Sequence, residues 1–194
     1  MCGRYQFTAE QSAEIQQIIQ GVQERVGRKI KTGEICPTDQ APVLRNTADG
    51  INPDILTWGV PVKGKPVINA RVESVIEKPL FRGSVEQRRC VIPSSGFYEW
   101  DPRKQKYLFR LFGEDSLYMA GIYQEQQGTE CYCVLTTAAN NSMLPVHNRM
   151  PLVLKRNQIV PWLRDNTEAR NILRGVPPEL DKTEAESGKQ MKLW

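Results

Sequence analysis

The spacing of apolar residues predicts one amphipathic helix near the start of the chain, over residues 8–26. Thr8 is the predicted N-cap, Gln11 completes a capping-box pattern three residues later, and Gly27 is a natural end. The apolar positions fall on one helical face; they are Ile15, Ile18, Ile19, Val22 and Val26. We expect this face to pack on a sheet.

Short runs of β-branched and aromatic residues, bounded by Gly, Pro or charged turns, predict strands in the middle of the chain. The predicted strands are residues 55–60, 89–93, 96–100, 107–112, 117–123, 131–137 and 151–154. The segments 107–111 and 117–123, separated by Gly113-Glu114-Asp115, predict a hairpin. Short helices are predicted over residues 72–80 and from Asn166 or Thr167 to about Gly175.

The remaining segments are rich in turn-forming or polar residues. Residues 32–54 are expected to form a loop around Val43-Leu44, and residues 181–194 a mobile tail. The pattern as a whole predicts a single α+β domain over residues 1–194, with a mostly antiparallel curved sheet or open barrel and a few short peripheral helices.

Composition narrows the class of protein. Hydrophobic residues make up 40% and charged residues 25%, which is typical of a globular domain, and the net charge is +4. No apolar run approaches a membrane span and no signal sequence is evident, so we expect a cytoplasmic protein without a membrane partner. Five cysteines without C-x-x-C spacing and a single histidine argue against a metal site, and no cofactor is expected.

The N-terminal Met1-Cys2-Gly3 offers unusual chemistry. Removal of Met1 would leave Cys2 with a free α-amine and a thiol in one residue. An aldehyde condenses with such an amine to an imine, and the thiol then closes a thiazolidine ring. The alternative is that Cys2 is a buried small apolar residue near a chain end.

Three further stretches place polar residues among apolar ones. Asn69, just after an apolar start, can donate and accept hydrogen bonds at once, although such residues are more often turns or caps. Glu99 stands between Tyr98 and Trp100, where partial desolvation would suit it to proton transfer, unless it points to solvent. His147, the single histidine, lies in a predicted loop, where functional residues concentrate, although lone histidines are usually structural.

Four motifs occur together in a specific order. They are M-C-G-R-Y at residues 1–5, I-N-A-R-V-E at 68–73, S-G-F-Y-E-W at 95–100 and V-H-N-R-M-P at 146–151. In this order and spacing the chain resembles the SRAP domain family, named for SOS-response-associated peptidases. The resemblance runs from residue 1 to about 154, with weaker support to 173.

The resemblance implies a DNA damage response protein that senses and shields abasic sites in single-stranded DNA. Cys2, freed of Met1, would form a covalent thiazolidine crosslink with the lesion, a lyase-like reaction, and autoproteolysis is a further activity suggested by the family name. Asn69 would position the Cys2 nucleophiles, Glu99 would help open the deoxyribose and transfer protons, and His147 would act as acid and base. The residues expected to contact DNA are Arg4, Arg71, Arg149, Pro37 and Thr136. A monomer is implied, located at the nucleoid after damage, with the replication machinery as a further partner.

The chain departs from the family pattern in two places. Trp58-Gly59-Val60-Pro61 is followed by Val62-Lys63-Gly64-Lys65, where relatives carry a tryptophan that stacks on bases, so lysines are expected to hold the strand electrostatically instead. Relatives also continue with a Pro-Val-Ser motif, whereas this sequence ends at Trp194. Whatever that stretch supports is expected to be absent or replaced.

Three other functions fit parts of the sequence. N-terminal-nucleophile amidotransferases also begin with Met-Cys-Gly, but glutamine-binding motifs are not evident and there is no room for a synthase domain. A thiol peptidase is the second alternative, because removal of its own first residue would be peptidase activity without a substrate protein. The third is a DNA-binding module in which Cys2 is inert.

Overall fold

The computed structural model describes residues 2–10, 12–27 and 30–186. Met1, Gln11, Arg28, Lys29 and residues 187–194 therefore lie outside the described residues. The predicted capping role of Gln11 and most of the predicted tail fall on these residues. Over the described residues, no helix is long and apolar enough to cross a membrane.

Strands dominate the described part of the chain. They are β1 (Tyr5–Phe7), β2 (Gly33–Ile35), β3 (Gln40–Thr47), β4 (Gly50–Trp58), β5 (Val60–Val62), β6 (Lys65–Val67), β7 (Asn69–Arg71), β8 (Arg89–Ser94), β9 (Gly96–Trp100), β10 (Lys106–Leu111), β11 (Leu117–Gln126), β12 (Thr129–Ala138), β13 (Arg149–Pro151), β14 (Val153–Leu154) and β15 (Leu180–Glu184). The helices are α1 (Ala13–Val26), α2 (Pro79–Gln87), α3 (Ile159–Arg164) and α4 (Asn166–Arg174), with a 3-10 turn at Arg156–Gln158.

The strands form a closed barrel and a second sheet. In the barrel β12 pairs with β4, β4 with β3, β3 with β8, β8 with β11, and β11 returns to β12; β7, β13 and β14 attach to its edges. The second sheet has the order β15-β10-β9-β1-β2, and β5 and β6 form a separate hairpin. This arrangement confirms the predicted α+β class, and the curved sheet closes completely through the β11–β12 pairing.

Helix α1 begins later than the sequence pattern predicts. Ser12 is its N-cap and accepts a hydrogen bond from the Ile15 backbone, because the Thr8 hydroxyl instead lies 3.1 Å from that of Ser95. The predicted end is confirmed, with Gly27 in the left-handed conformation (φ 67°). The apolar face, including fully buried Ile15 and Val22, packs into the core as expected.

Several predicted connections are wrong. The hairpin of residues 107–111 with 117–123 does not form, because β10 pairs with β9 and β15 whereas β11 lies in the barrel. The predicted loop over residues 32–54 instead contains β2, β3 and part of β4, and the pairing of β3 with β4 overrides their Pro, Asn and Asp content. The helix predicted over residues 72–80 begins only at Pro79, which is favoured in a first helical turn. Asp181–Glu184, assigned to a polar tail, form most of β15.

Two apolar clusters make up the core. The first joins Cys2, β1 and α1 to the barrel, and it contains the aromatic side chains of Tyr5, Trp58 and Tyr132. The second lies between the barrel and the helices α2, α3 and α4, where Trp162 is fully buried and donates to the Cys90 carbonyl oxygen at 2.9 Å. Apolar residues therefore cover both sides of the barrel wall. Cys2, which precedes β1, is buried within the first cluster.

Among the described glycines, Gly121 in β11 leaves the least space for a side chain. A Cβ atom there would overlap Ile92 Cδ1 and lie 3.1 Å from the Cys133 carbonyl oxygen. We expect Gly121→Ala to lower the free energy of unfolding by about 1–3 kcal/mol through overpacking, measured by urea unfolding. Gly83→Ala is the matched control, since its Cβ would meet only a distant arginine nitrogen at 3.7 Å inside helix α2; it should stabilise by up to about 1 kcal/mol. Equal stability of Gly121→Ala and the unmodified protein would contradict the tight packing.

Candidate functional site

Pairing of β1 with β9 places the N-terminal cysteine beside Glu99. Tyr5 lies opposite Phe97, and the Tyr98 backbone N–H donates to the Arg4 carbonyl oxygen at 2.9 Å. Continued by one residue, this antiparallel register sets Gly3 opposite Glu99. Cys2 is 1% exposed and Glu99 5% exposed. The desolvation predicted for Glu99 is therefore present, and its charge acts on the Cys2 thiol.

The environment of Cys2 keeps its thiol protonated. Burial raises the pKa of the Cys2 thiol to about 12, and the negative charge of Glu99 raises it as well. The thiol makes one long contact, 3.8 Å, with the Arg4 carbonyl oxygen. In the chain that still carries Met1, this thiol is not a nucleophile near neutral pH, because the thiolate is the reactive form.

Asn69 reaches Cys2 from the barrel. Its Nδ2 donates to the Cys2 carbonyl oxygen at 2.8 Å, and its backbone pairs in parallel with Val134 of β12. The Oδ1 atom is buried and accepts no hydrogen bond from residues 2–10, 12–27 or 30–186. An acceptor that is buried without a partner is costly, so this oxygen faces a place where a donor would bind favourably.

Strand β12 gathers the other predicted residues. Arg71 at the end of β7 lies opposite Thr136, and Arg149 at the start of β13 lies opposite Ala138. His147 stands just before β13, where its Nδ1 accepts from the Arg149 backbone N–H at 2.9 Å. The same Nδ1 also lies 3.2 Å from the Arg149 carbonyl oxygen.

Arg149 is held by two partners. Its Nη1 and Nη2 atoms lie 2.5 and 2.9 Å from the two carboxylate oxygens of Glu73, and Nη2 also donates to the Thr136 carbonyl oxygen at 2.7 Å. Thr136 itself has no exposed surface. The contact of Thr136 with DNA stays a prediction; in this conformation its atoms are covered and its carbonyl oxygen holds Arg149.

Arg4 lies against Trp100 of β9. It is 7% exposed, forms an ion pair with Glu34 at 2.9 Å, and lies over the Trp100 ring at 5.4 Å. The phosphate contact of Arg4 stays a prediction; in this conformation its guanidinium is largely covered, and Glu34 is shared with Lys106. Pro37 is half-buried in the turn after β2, next to the N-terminal strand, and remains accessible.

Three charged residues of the site region were not predicted from the sequence. Glu34 binds both Arg4 and Lys106, the latter at 3.0 Å, and Lys106 is 6% exposed. Glu73 binds Arg149. Glu73 stands in the I-N-A-R-V-E motif and could have been noticed there, whereas nothing in the sequence around Glu34 or Lys106 indicates their pairing. The described residues contain no group of three or more His, Cys, Asp or Glu side chains that could hold a metal ion.

Together these features define a class of protein: an α+β barrel with a buried cysteine at its second residue, which an asparagine of the barrel sheet contacts and which a buried glutamate of the second sheet affects electrostatically. The chain belongs to the SOS response associated peptidase (SRAP) family, whose characteristic sequence it matches over residues 1–188. Among curated relatives, the abasic site processing protein YoqW of Bacillus subtilis is 31% identical over 95% of this chain and 91% of its own length. The abasic site processing protein YedK of Escherichia coli is 24% identical over 88% and 82%.

Solved structures share the fold. A protein from Bacteroides thetaiotaomicron superposes with a TM-score of 0.75 at 22% identity, covering 94% of this chain and 91% of that protein. A protein from Bordetella bronchiseptica gives 0.76 at 19% identity, covering 95% and 100%. These structures show that the fold has already been seen in crystals, whereas the match over residues 1–188 confirms the predicted family.

The charge of Glu99 is expected to control Cys2 reactivity. Glu99→Gln removes a negative charge that raises the Cys2 pKa, so the rate of Cys2 alkylation by iodoacetamide should rise with pH at lower pH values than in the unmodified protein. Peptide mass spectrometry distinguishes Cys2 from the half-buried Cys36. Glu125→Gln, an equal change of charge at an exposed site in β11, should leave the profile unchanged. Superimposable profiles for Glu99→Gln and the unmodified protein would rule out this coupling.

Proposed function

We propose that this protein processes abasic sites in single-stranded DNA by forming a thiazolidine crosslink through Cys2 after Met1 has been removed. The observation that carries this proposal is the contact of Cys2 with Asn69 while Glu99 raises the thiol pKa from the other side. The names of the curated relatives, which are abasic site processing proteins, support the same substrate.

The proposed reaction uses both nucleophiles of a trimmed Cys2. The α-amine attacks the aldehyde carbon of the ring-opened deoxyribose and water leaves, which gives an imine. The thiol sulfur then bonds to the imine carbon, the C=N electron pair moves to nitrogen, and the thiol proton completes the secondary amine. No oxidant or cofactor enters the balance.

Each neighbouring residue has a role in that sequence. The buried Oδ1 of Asn69 is suited to accept a hydrogen bond from the Cys2 amine while its Nδ2 fixes the Cys2 carbonyl. Glu99 takes the thiol proton and returns it during ring closure. Such a base is needed because burial raises the pKa of the Cys2 thiol. His147 serves as acid and base for the sugar oxygen that leaves as water.

The strand is held through its phosphates. Arg71 is exposed and Arg149 is close to the surface, so both are available to phosphates that flank the lesion. Exposed Lys63 and Lys65, in the hairpin of β5 and β6, add positive charge where a stacking tryptophan is expected in relatives. Phosphate contacts carry no sequence information, which suits a lesion without a base. Arg4 acts indirectly, by holding β1. The monomeric state, the nucleoid location and replication partners stay predictions.

A thiol peptidase is less well supported by the same contacts. The carbonyl that Asn69 contacts is that of Cys2, which is not the carbonyl of a Met1–Cys2 bond. Burial also keeps the thiol protonated in the chain that carries Met1. Removal of Met1 by a separate aminopeptidase therefore fits these contacts better than autoproteolysis.

We expect the reactive form to lack Met1, because an acylated Cys2 nitrogen cannot form an imine. Intact mass spectrometry of the protein, before and after incubation with single-stranded DNA containing one abasic site, measures both the trimming and the adduct. The adduct should appear only on the trimmed mass. A chain that retains Met1 and still forms the adduct in full yield would refute the aminothiol mechanism.

The variant Cys2→Ser separates the two nucleophiles. After trimming it keeps the amine but has a poorly nucleophilic hydroxyl, so it should form an imine that borohydride traps and that otherwise hydrolyses or breaks the strand by β-elimination. The unmodified protein should give a heat-stable adduct without reductant and little strand breakage. Cys36→Ser is the matched control and should behave as the unmodified protein does. If Cys2→Ser gives a stable adduct without borohydride, another residue forms the bond; if nothing is trapped, the amine is not the first nucleophile.

A further inference from the structure

The side chains of Arg149 and Glu73 form a bidentate ion pair. Nη1 lies 2.5 Å from Oε1 and Nη2 lies 2.9 Å from Oε2 of the carboxylate. Arginine uses this same fork to bind the oxygens of a phosphate. Arg71, the second predicted phosphate ligand, also acts electrostatically on Glu73, and both arginines together hold the pKa of the Glu73 carboxyl below its usual range. Glu73 thus lies where two cations favour an anion.

Glu73 is not needed to orient Arg149. The guanidinium is independently fixed by the Thr136 carbonyl oxygen at 2.7 Å, and the Arg149 backbone is fixed by the pairing of β13 with β12 and by His147. The Glu73 side chain is 50% exposed, whereas that of Arg149 is 15% exposed. The carboxylate can therefore swing into solvent while the arginine stays in place.

We propose that Glu73 is a specificity-determining residue whose carboxylate occupies a phosphate position on Arg149 and has to be displaced by an incoming strand. This inference rests on the proposed function. A half-exposed ion pair contributes little, so a phosphate can displace it, but the exchange weakens every non-covalent complex. Undamaged strands are then released readily, whereas an abasic strand is retained because a covalent bond follows.

The test measures the affinity for undamaged single-stranded DNA by fluorescence anisotropy at about 0.1 M salt, where the Debye length is about 10 Å, using the full chain. Glu73→Gln should bind about two- to fivefold more tightly than the unmodified protein, the range that corresponds to an exposed ion pair. Glu73→Ala should change the affinity in the same direction. Excess undamaged strand should also slow adduct formation by Glu73→Gln more than by the unmodified protein.

Glu77→Gln is the matched control. Glu77 is exposed, lies four residues further along the same turn, and undergoes the same change of charge. It should shift the affinity by less than twofold, because long-range interactions between exposed charges are screened. In the Arg149→Gln background, Glu73→Gln should change the affinity no more than Glu77→Gln does. The cation for which Glu73 and a phosphate compete is then absent.

Four results would overturn the inference. Weaker binding by Glu73→Gln would mean that Glu73 supports Arg149. An effect equal to that of Glu77→Gln would mean that only the net charge of the protein changes the affinity. A gain in DNA affinity that persists in the Arg149→Gln background would mean that Glu73 does not act through Arg149. If no variant binds DNA, there is no phosphate site on Arg149. Adduct formation on abasic DNA is measured in parallel; its absence with tighter binding by Glu73→Gln would refute the proposed function alone.

Discussion

The site depends on a buried contact between two tyrosine hydroxyls. Tyr5 in β1 and Tyr132 in β12 meet at 2.7 Å, with Trp58 packed against both rings, and all three side chains are fully buried. Burial raises the pKa of both tyrosines, so the pair stays neutral. The indole of Trp58 donates to the carbonyl oxygen of Ile68, the residue before Asn69. One apolar cluster thereby fixes the strand of Cys2 relative to the strand of Asn69, and loss of one hydroxyl would leave the other unsatisfied, at a cost of about 1–3 kcal/mol.

A small group of paired charges holds the strands next to the site. The cations Arg4 and Lys106 share the carboxylate of Glu34, and Lys106 also lies 3.9 Å from the centre of the Tyr98 ring. Buried charges that are paired in this manner are costly to break apart. The group of Arg4, Lys106 and Glu34 consequently ties the residue before β1 to β2 and β10.

Local sequence predicted the parts of the fold whose signals are local. Gly96–Trp100 was placed without error, because alternation acts within a few residues. Helix α4 was found together with its end at Gly175, although its N-cap is Asp165 and not Asn166 or Thr167. The sequence did not predict which strands pair. The strands β10 and β11 are close in sequence, yet long-range packing assigns them to different sheets. The Asp49-Gly50 turn signal between β3 and β4 was overlooked among loop-forming residues. For the site, motifs identified Cys2, Asn69 and Glu99, but the covering of Arg4 and Thr136 follows from tertiary contacts that no motif contains.

The pairing of the chain's first strand with late partners sets an order of events during synthesis. Tyr132 lies 127 residues beyond Tyr5, and ribosomes add roughly 5–20 residues per second, so about 6–25 s pass before the aromatic cluster can be completed. Throughout that interval the Cys2 thiol lacks the later strands that bury it. Once the fold is complete, Cys2 is 1% exposed. A reagent that reacts with this thiol therefore has its best access to Cys2 while the chain is still being translated.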